Sequence, residues 1–299
     1  MTEKLIENEQ KTAPADTAPK DELHLISRKR KWRDRAILAV SGLIFSFAYP
    51  PLDLGFIGWI ALVPLFLLVK DMSWGRAWRS GFLWGFIWSS ASFFWVGEIE
   101  SFNPPFAGPV HFIKGFMPFF NGGLCLPYIL SAVLALFPAF WAAAVPPLFR
   151  YLLKPVDVQL AGYEVESNFR TFSRGMEVLT VFSLAALWTI LEWVRTWIGT
   201  GLPWNFLAAS QWQNFPLLQI CEYTGSYGVS FLMAAANISL AFALVNIKDS
   251  FLGKAKYRRP FPLMIAIVLV MITVISGSHS MLKYGRNKGA ERMNISVLQ

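Results

Sequence analysis

Leu187–Trp212 reads LWTILEWVRTWIGTGLPWNFLAASQW, and its interpretation decides the fold. An apolar run with helical spacing carries Glu192 and Arg195, then breaks at Thr200-Gly201-Leu202-Pro203-Trp204 into an aromatic loop. Residues three and four apart share a helical face, so Trp188, Glu192 and Arg195 line one side of the helix. An ionisable group at membrane depth costs about 2.5–3.5 kcal/mol on insertion scales and therefore turns toward protein rather than lipid. Two readings fit the spacing. Glu192 and Arg195 form a structural ion pair that orients the helix, or they floor a site opening at the membrane surface behind Pro203.

The rest of the chain supports the membrane setting. The 299 residues are 55% hydrophobic and only 15% charged, with 13 Trp and 26 Phe. A soluble domain carries about 25% charge, and indole and phenyl rings collect at bilayer interfaces. The net charge of +8 does not point to nucleic acid. The cations sit in short blocks beside apolar runs, with no basic stripe interleaved with stacking aromatics. Cys125 and Cys221 lie in or beside apolar stretches and read as small hydrophobes. His24, His111 and His279 are isolated, so no metal site is expected. No cofactor is expected either.

Residues 1–35 are expected to be a polar, disordered tail ending in a basic block, Arg28-Lys29-Arg30-Lys31 with Arg33 and Arg35. That block precedes the first of seven apolar runs and places the N-terminus in the cytoplasm. The runs fall at about 36–49, 54–69, 78–96, 124–146, 178–198, 227–245 and 261–277. The first two are short of the roughly 20 residues that cross the hydrocarbon core, and Pro64 is expected to kink the second. Predicted cytoplasmic loops carry 3, 4 and 5 basic residues, against 0, 1 and 0 in the outer loops. This alternation puts the C-terminus outside the cytoplasm. The fold expected is therefore an all-α polytopic membrane protein of about seven transmembrane helices over 36–279.

Four stretches together resemble the membrane domain of the bacterial apolipoprotein N-acyltransferases. They are Gly81-Phe82-x-Trp84-Gly85-Phe86 with Trp95-Val96, Glu192-x-x-Arg195, Gly201-Leu202-Pro203-Trp204, and Gly225-x-x-Gly228-Val229-Ser230-Phe231-Leu232. The closing Asn294-Ile295-Ser296-Val297-Leu298-Gln299 resembles the first strand of that family's outer nitrilase-like α/β domain. Residues 280–299 are accordingly expected to be an extracytoplasmic linker and the start of that domain, with the remainder missing.

The resemblance implies a reaction. A cysteine thiolate takes an acyl chain from a membrane phospholipid as a thioester, then passes it to the N-terminal amine of a diacylglyceryl-cysteine lipoprotein. The family's Glu, Lys and Cys for this chemistry lie in the nitrilase-like domain, so no catalytic residue is assigned here and the chain alone is expected to be inactive. The substrate-handling residues carried over are Trp95, Glu192, Arg195, Pro203 and Trp204. Arg195 has the planar fork suited to a phosphate. Location in the bacterial inner membrane follows from the same resemblance. One alternative is a non-catalytic lipid-binding protein working with a separately encoded nitrilase-like partner. A small transporter is weaker, because no internal repeat is evident.

Overall fold

The computed structural model describes residues 20–93, 96, 122–153, 173–198, 201–253 and 259–285. Residues 1–37 and 38–299 form two compact units. In the first, the described residues belong to helix α1 (Lys20–Ser46). It starts inside the tail expected to be disordered, because residues 20–35 are rich in Lys, Arg, Leu and Glu, all strong helix formers. Arg33 pairs with Asp34 at 3.3 Å, and the Arg35 guanidinium lies 5.7 Å from the Trp32 ring centroid.

Every secondary-structure element among the described residues of the second unit is helical, with turns and loops between. After a 3₁₀ turn at Gly55–Trp59 come α2 (Val63–Val69), α3 (Trp74–Ser92) and α4 (Gly122–Leu152). Helix α5 (Arg174–Arg195) precedes a second 3₁₀ turn, Leu207–Gln211, and the single turns α6 (Phe215–Leu218) and α7 (Cys221–Thr224). Helices α8 (Ser226–Phe251) and α9 (Phe261–Gly285) complete it. Among the described residues, four helices are long and apolar enough to cross a membrane: Pro127–Leu152, Arg174–Arg195, Ser226–Phe251 and Phe261–Lys283. The strand expected near 294–299 lies outside the described residues.

The segment expected as one kinked span over 54–69 is instead discontinuous. Pro64 sits in the first turn of α2, where its missing N–H costs nothing. The break exposes backbone groups that the bilayer cannot hydrate. Asn237, fully buried in the middle of α8, satisfies them: its Oδ1 accepts Leu62 N–H at 2.9 Å and its Nδ2 donates to Gly58 O at 2.9 Å. Nδ2 also donates to Met233 O within α8 at 2.8 Å. One amide thus replaces the helix ladder across the interruption.

Helix α8 is the centre of the unit, touching α2, α5, α6, α7, α9 and both 3₁₀ turns. Helix α9 is peripheral, with Ile267, Val268, Met271, Ile272 and Ile275 exposed as expected of a lipid-facing surface. Helices α3 and α4 make the closest pair. A Cβ added at Gly81 would stand 2.5 Å from Pro138 O and 2.8 Å from Ala139 Cα, and one at Gly85 would strike Pro138 Cγ. Backbones approach this closely only where no side chain intervenes. Ser89 Oγ then donates across the interface to Ser131 O at 3.1 Å. Gly81→Leu should push the helices apart and cost about 1–3 kcal/mol by overpacking. Thermal unfolding in detergent would test this; an unchanged midpoint would mean the contact is looser than the structure indicates.

Behind this pair lies an aromatic core. Phe45 stacks on Trp84 and Trp88 with centroids 5.4 and 5.1 Å apart, and Trp188 meets Trp84 and Trp141 edge-on at 6.5 and 5.6 Å. Trp141 Nε1 donates to Leu184 O at 2.9 Å, fixing α4 to α5. This core brings the carboxylate and guanidinium of α5 up against the loop that follows.

Candidate functional site

Glu192 and Arg195 occupy the last turn of α5 and are 4% and 3% exposed, so both face protein as their cost in lipid demands. No ion pair within 4.0 Å joins them. Each instead fastens the returning chain. Glu192 Oε1 accepts Leu207 N–H at 2.7 Å and Trp188 Nε1–H at 3.0 Å. Arg195 Nη2 donates to Trp204 O at 2.9 Å, and Leu202 N–H donates to Arg195 O at 2.9 Å. The guanidinium also lies 4.9 Å from the Phe206 ring centroid and 5.8 Å from that of Phe137, within cation–π range. The Glu-x-x-Arg spacing therefore works as a clamp on residues 202–207, which the face argument alone did not reveal.

The clamp is doubled from the other side. Tyr49 donates its hydroxyl to Phe206 O at 3.2 Å, and Ser230 Oγ of α8 accepts Ala208 N–H at 3.1 Å. Gln211 accepts Trp59 Nε1–H at 3.1 Å and donates to Gly55 O at 2.6 Å, while Trp212 Nε1 donates to Asp53 Oδ1 at 2.9 Å. The 49–59 turn and the 202–212 loop thus form one platform at one end of the bundle. A polar cleft of about 310 Å³, bordered by Asp53, Phe56, Gln211 and Asn214, separates them.

Of the residues singled out in the sequence, the structure brings Glu192, Arg195 and Trp204 together. Pro203 is exposed beside them, and the Trp204 ring leans on Phe93 with centroids 5.8 Å apart. Trp95 lies outside the described residues. Trp204, Trp212, Phe56 and Phe215 are 46–66% exposed around the platform, as interfacial rings are. Arg195 presents no open face to a headgroup; the way to it is a narrow crevice between α4 and α5. Tyr49, Gln211 and Asn237 were missed. The one available signal was polar side chains within apolar runs, which calls for a partner wherever it occurs in a membrane helix.

The family profile described as the apolipoprotein N-acyltransferase N-terminal domain matches residues 41–239, which hold α3–α5, the clamp and the platform. The chain belongs to this family. It is 24% identical over 267 residues to the apolipoprotein N-acyltransferase of Geobacter metallireducens, covering 89% of this chain and 43% of that protein. It is 25% identical over 264 residues to that of Haemophilus influenzae, covering 88% and 41%. A third relative of the same name, from Coxiella burnetii, is 27% identical over 201 residues. The chain thus spans about two fifths of the length of the first two.

Cys221, half-buried in α7, is a free thiol among the described residues and is the one to weigh as a nucleophile, although the sequence reads it as a small hydrophobe. Burial pushes its thiol pKa up, away from the reactive thiolate. A group whose pKa is raised needs a higher pH to ionise. In a Cys125→Ser background, iodoacetamide labelling of Cys221 should therefore reach half its maximal rate above about pH 8.5, the ordinary thiol value. A midpoint well below that would restore Cys221 as a candidate.

Proposed function

We propose that this chain is the membrane part of an apolipoprotein N-acyltransferase. It holds the phospholipid acyl donor and the lipoprotein acceptor, and the reacting groups belong to a nitrilase-like domain joined to it or encoded separately. In this reading α1, the discontinuous 55–69 segment and α3 cross the bacterial inner membrane along with the four longer helices. The crossings total seven, with the N-terminus cytoplasmic and the platform on the outer side. Glu192, Arg195, Pro203 and Trp204, with Trp95, then form the substrate-handling end.

The observation that carries the reading is the family match over residues 41–239. It coincides with a platform whose exposed aromatics suit a bilayer interface and whose backbone is held by buried charge. The topology is supported by the positions of Arg150, Arg174 and Lys248. They lie at the ends of α4, α5 and α8 opposite to the platform, where the positive-inside bias favours cytoplasm.

The test is complementation in a bacterium depleted of its own N-acyltransferase. The chain is expressed alone, fused to a relative's nitrilase-like domain, or co-expressed with it, and the mass of a lipoprotein N-terminus is read. Gain of one acyl chain only when the nitrilase-like domain is present supports the reading. Failure of every combination, with the chain stably inserted, removes it.

A further inference from the structure

The crevice between α4 and α5 is lined by Trp88, Phe137, Pro138, Leu191, Glu192 and Arg195, with the Trp188 ring at its back. Three buried polar atoms of its lining residues have no hydrogen-bond partner among the described residues: Trp88 Nε1, Arg195 Nε and Glu192 Oε2. The Ser230 hydroxyl of α8 interacts with the same carboxylate, while Oε2 has no partner within hydrogen-bonding distance. The three residues that carry these atoms are nearly sealed, Trp88 at 2% exposure and the two charged residues at 4% or less. Bulk solvent therefore does not satisfy these atoms. In a bilayer, which offers no water to replace the missing partner, each would remain unpaired at a steep cost.

The three atoms are complementary in kind. Two are N–H donors and one is a carboxylate acceptor. The accessible space is about 10 Å³, the room that a single water requires, and a buried water is held by two to four such partners. A phosphate is too large for that space and is repelled by Oε2. A cation would be repelled by the guanidinium.

We infer that the crevice is a binding site for one water molecule that bridges Glu192 and Arg195. The water accepts the N–H groups of Trp88 and Arg195 Nε and donates one O–H to Glu192 Oε2. Its second O–H points toward the mouth beside Phe137 and Leu191. The carboxylate and guanidinium, which do not touch, are thereby coupled through a shared oxygen, a link nearly as favourable as a direct hydrogen bond. Trp88, on α3, becomes a third anchor of the clamp on α5. The inference is independent of the acyl-transfer reading, since it uses only the packing of α3, α4 and α5.

Two measurements test it on the whole chain in a lipid environment. A crystal structure grown from a lipidic mesophase, at a resolution showing ordered water, should reveal one isolated peak within hydrogen-bonding distance of all three atoms. An empty crevice overturns the inference, and so does density continuous with an acyl chain or headgroup, which would mean that a lipid oxygen occupies the position. Ultraviolet resonance Raman reads the indole N–H directly, and the spectrum of the chain minus that of Trp88→Phe isolates Trp88. The difference band should lie at the hydrogen-bonded position; a free N–H position overturns the proposal. Should Trp88→Phe fail to fold, the crystal structure decides alone.

Discussion

Asn237→Leu should strongly destabilise this domain. The side chain satisfies Gly58 O and Leu62 N across the break before α2, and leucine strands both. Each buried backbone group left without a partner costs about 1–3 kcal/mol, giving a loss of roughly 2–6 kcal/mol for the pair. Polar side-chain contacts between membrane helices average only about 0.6 kcal/mol, because the separated helices find other partners. The larger figure applies here because the stranded groups are backbone and the helix cannot close over them. Ser239→Ala, two residues along α8, is the matched control: its buried hydroxyl has no partner among the described residues, so its loss should leave stability unchanged or raise it. Denaturant unfolding in mixed micelles separates the two. Equal midpoints for Asn237→Leu and the parent would mean that the discontinuous segment needs no outside support.

Arg195→Ala and Glu192→Ala should each release the 202–207 loop. Arg195→Ala leaves Trp204 O unpaired and Glu192 as an unopposed buried charge; Glu192→Ala leaves Leu207 N–H, Trp188 Nε1 and the guanidinium in the same condition. Removing one member of a buried charged set costs about 3–5 kcal/mol. Replacing both by leucine should cost less than the sum of the two single changes, because the second removes a charge that the first had stranded. Loop release has a direct readout. Residues 199–226 contain no Lys or Arg, so trypsin is blind to them, whereas chymotrypsin should cut at Trp204 or Phe206 far faster in either single variant. If Arg195→Ala changes neither folding, loop cleavage nor retained phospholipid, Arg195 has neither a structural nor a lipid-handling role.

The elements visible in the sequence were those that local periodicity encodes. Apolar runs with 3.6-residue spacing located α3, α4, α5, α8 and α9, and the face argument put Trp188, Glu192 and Arg195 together. The helix ends were less legible: α9 continues to Gly285 because Ser278–Leu282 extend its turns without a breaker. What stayed hidden was pairing across long sequence separations. Asn237 reaches Gly58 and Leu62 over 179 and 175 residues, and Tyr49 reaches Phe206 over 157. Nothing in the neighbourhood of Asn237 marks which backbone needs it. The short helices within 207–224 were equally unreadable, since their turns are fixed by Gln211 and by contact with α8 and α9 rather than by a repeating pattern.

The Glu192–Arg195 spacing also predicted less than the structure contains. Two opposite charges three residues apart suggest a mutual pair, yet each was drawn to a backbone group of the following loop. Desolvated backbone at the end of a helix competes effectively for a charged partner. Sequence spacing cannot express that competition, because it depends on where the loop returns.

The 202–212 loop is gripped by Arg195, Glu192, Tyr49 and Ser230, and by Trp59 and Asp53 through Gln211 and Trp212. A free loop loses about 1–2 kcal/mol of backbone entropy per residue when something immobilises it. Here that freedom is already gone before any lipid, peptide or neighbouring domain arrives. An incoming group meets a surface whose shape does not change, so its contacts are not diluted by the cost of ordering the receptor. Association at this end should therefore be fast and only weakly dependent on temperature through the protein's own entropy, with the mobility of the guest setting what remains.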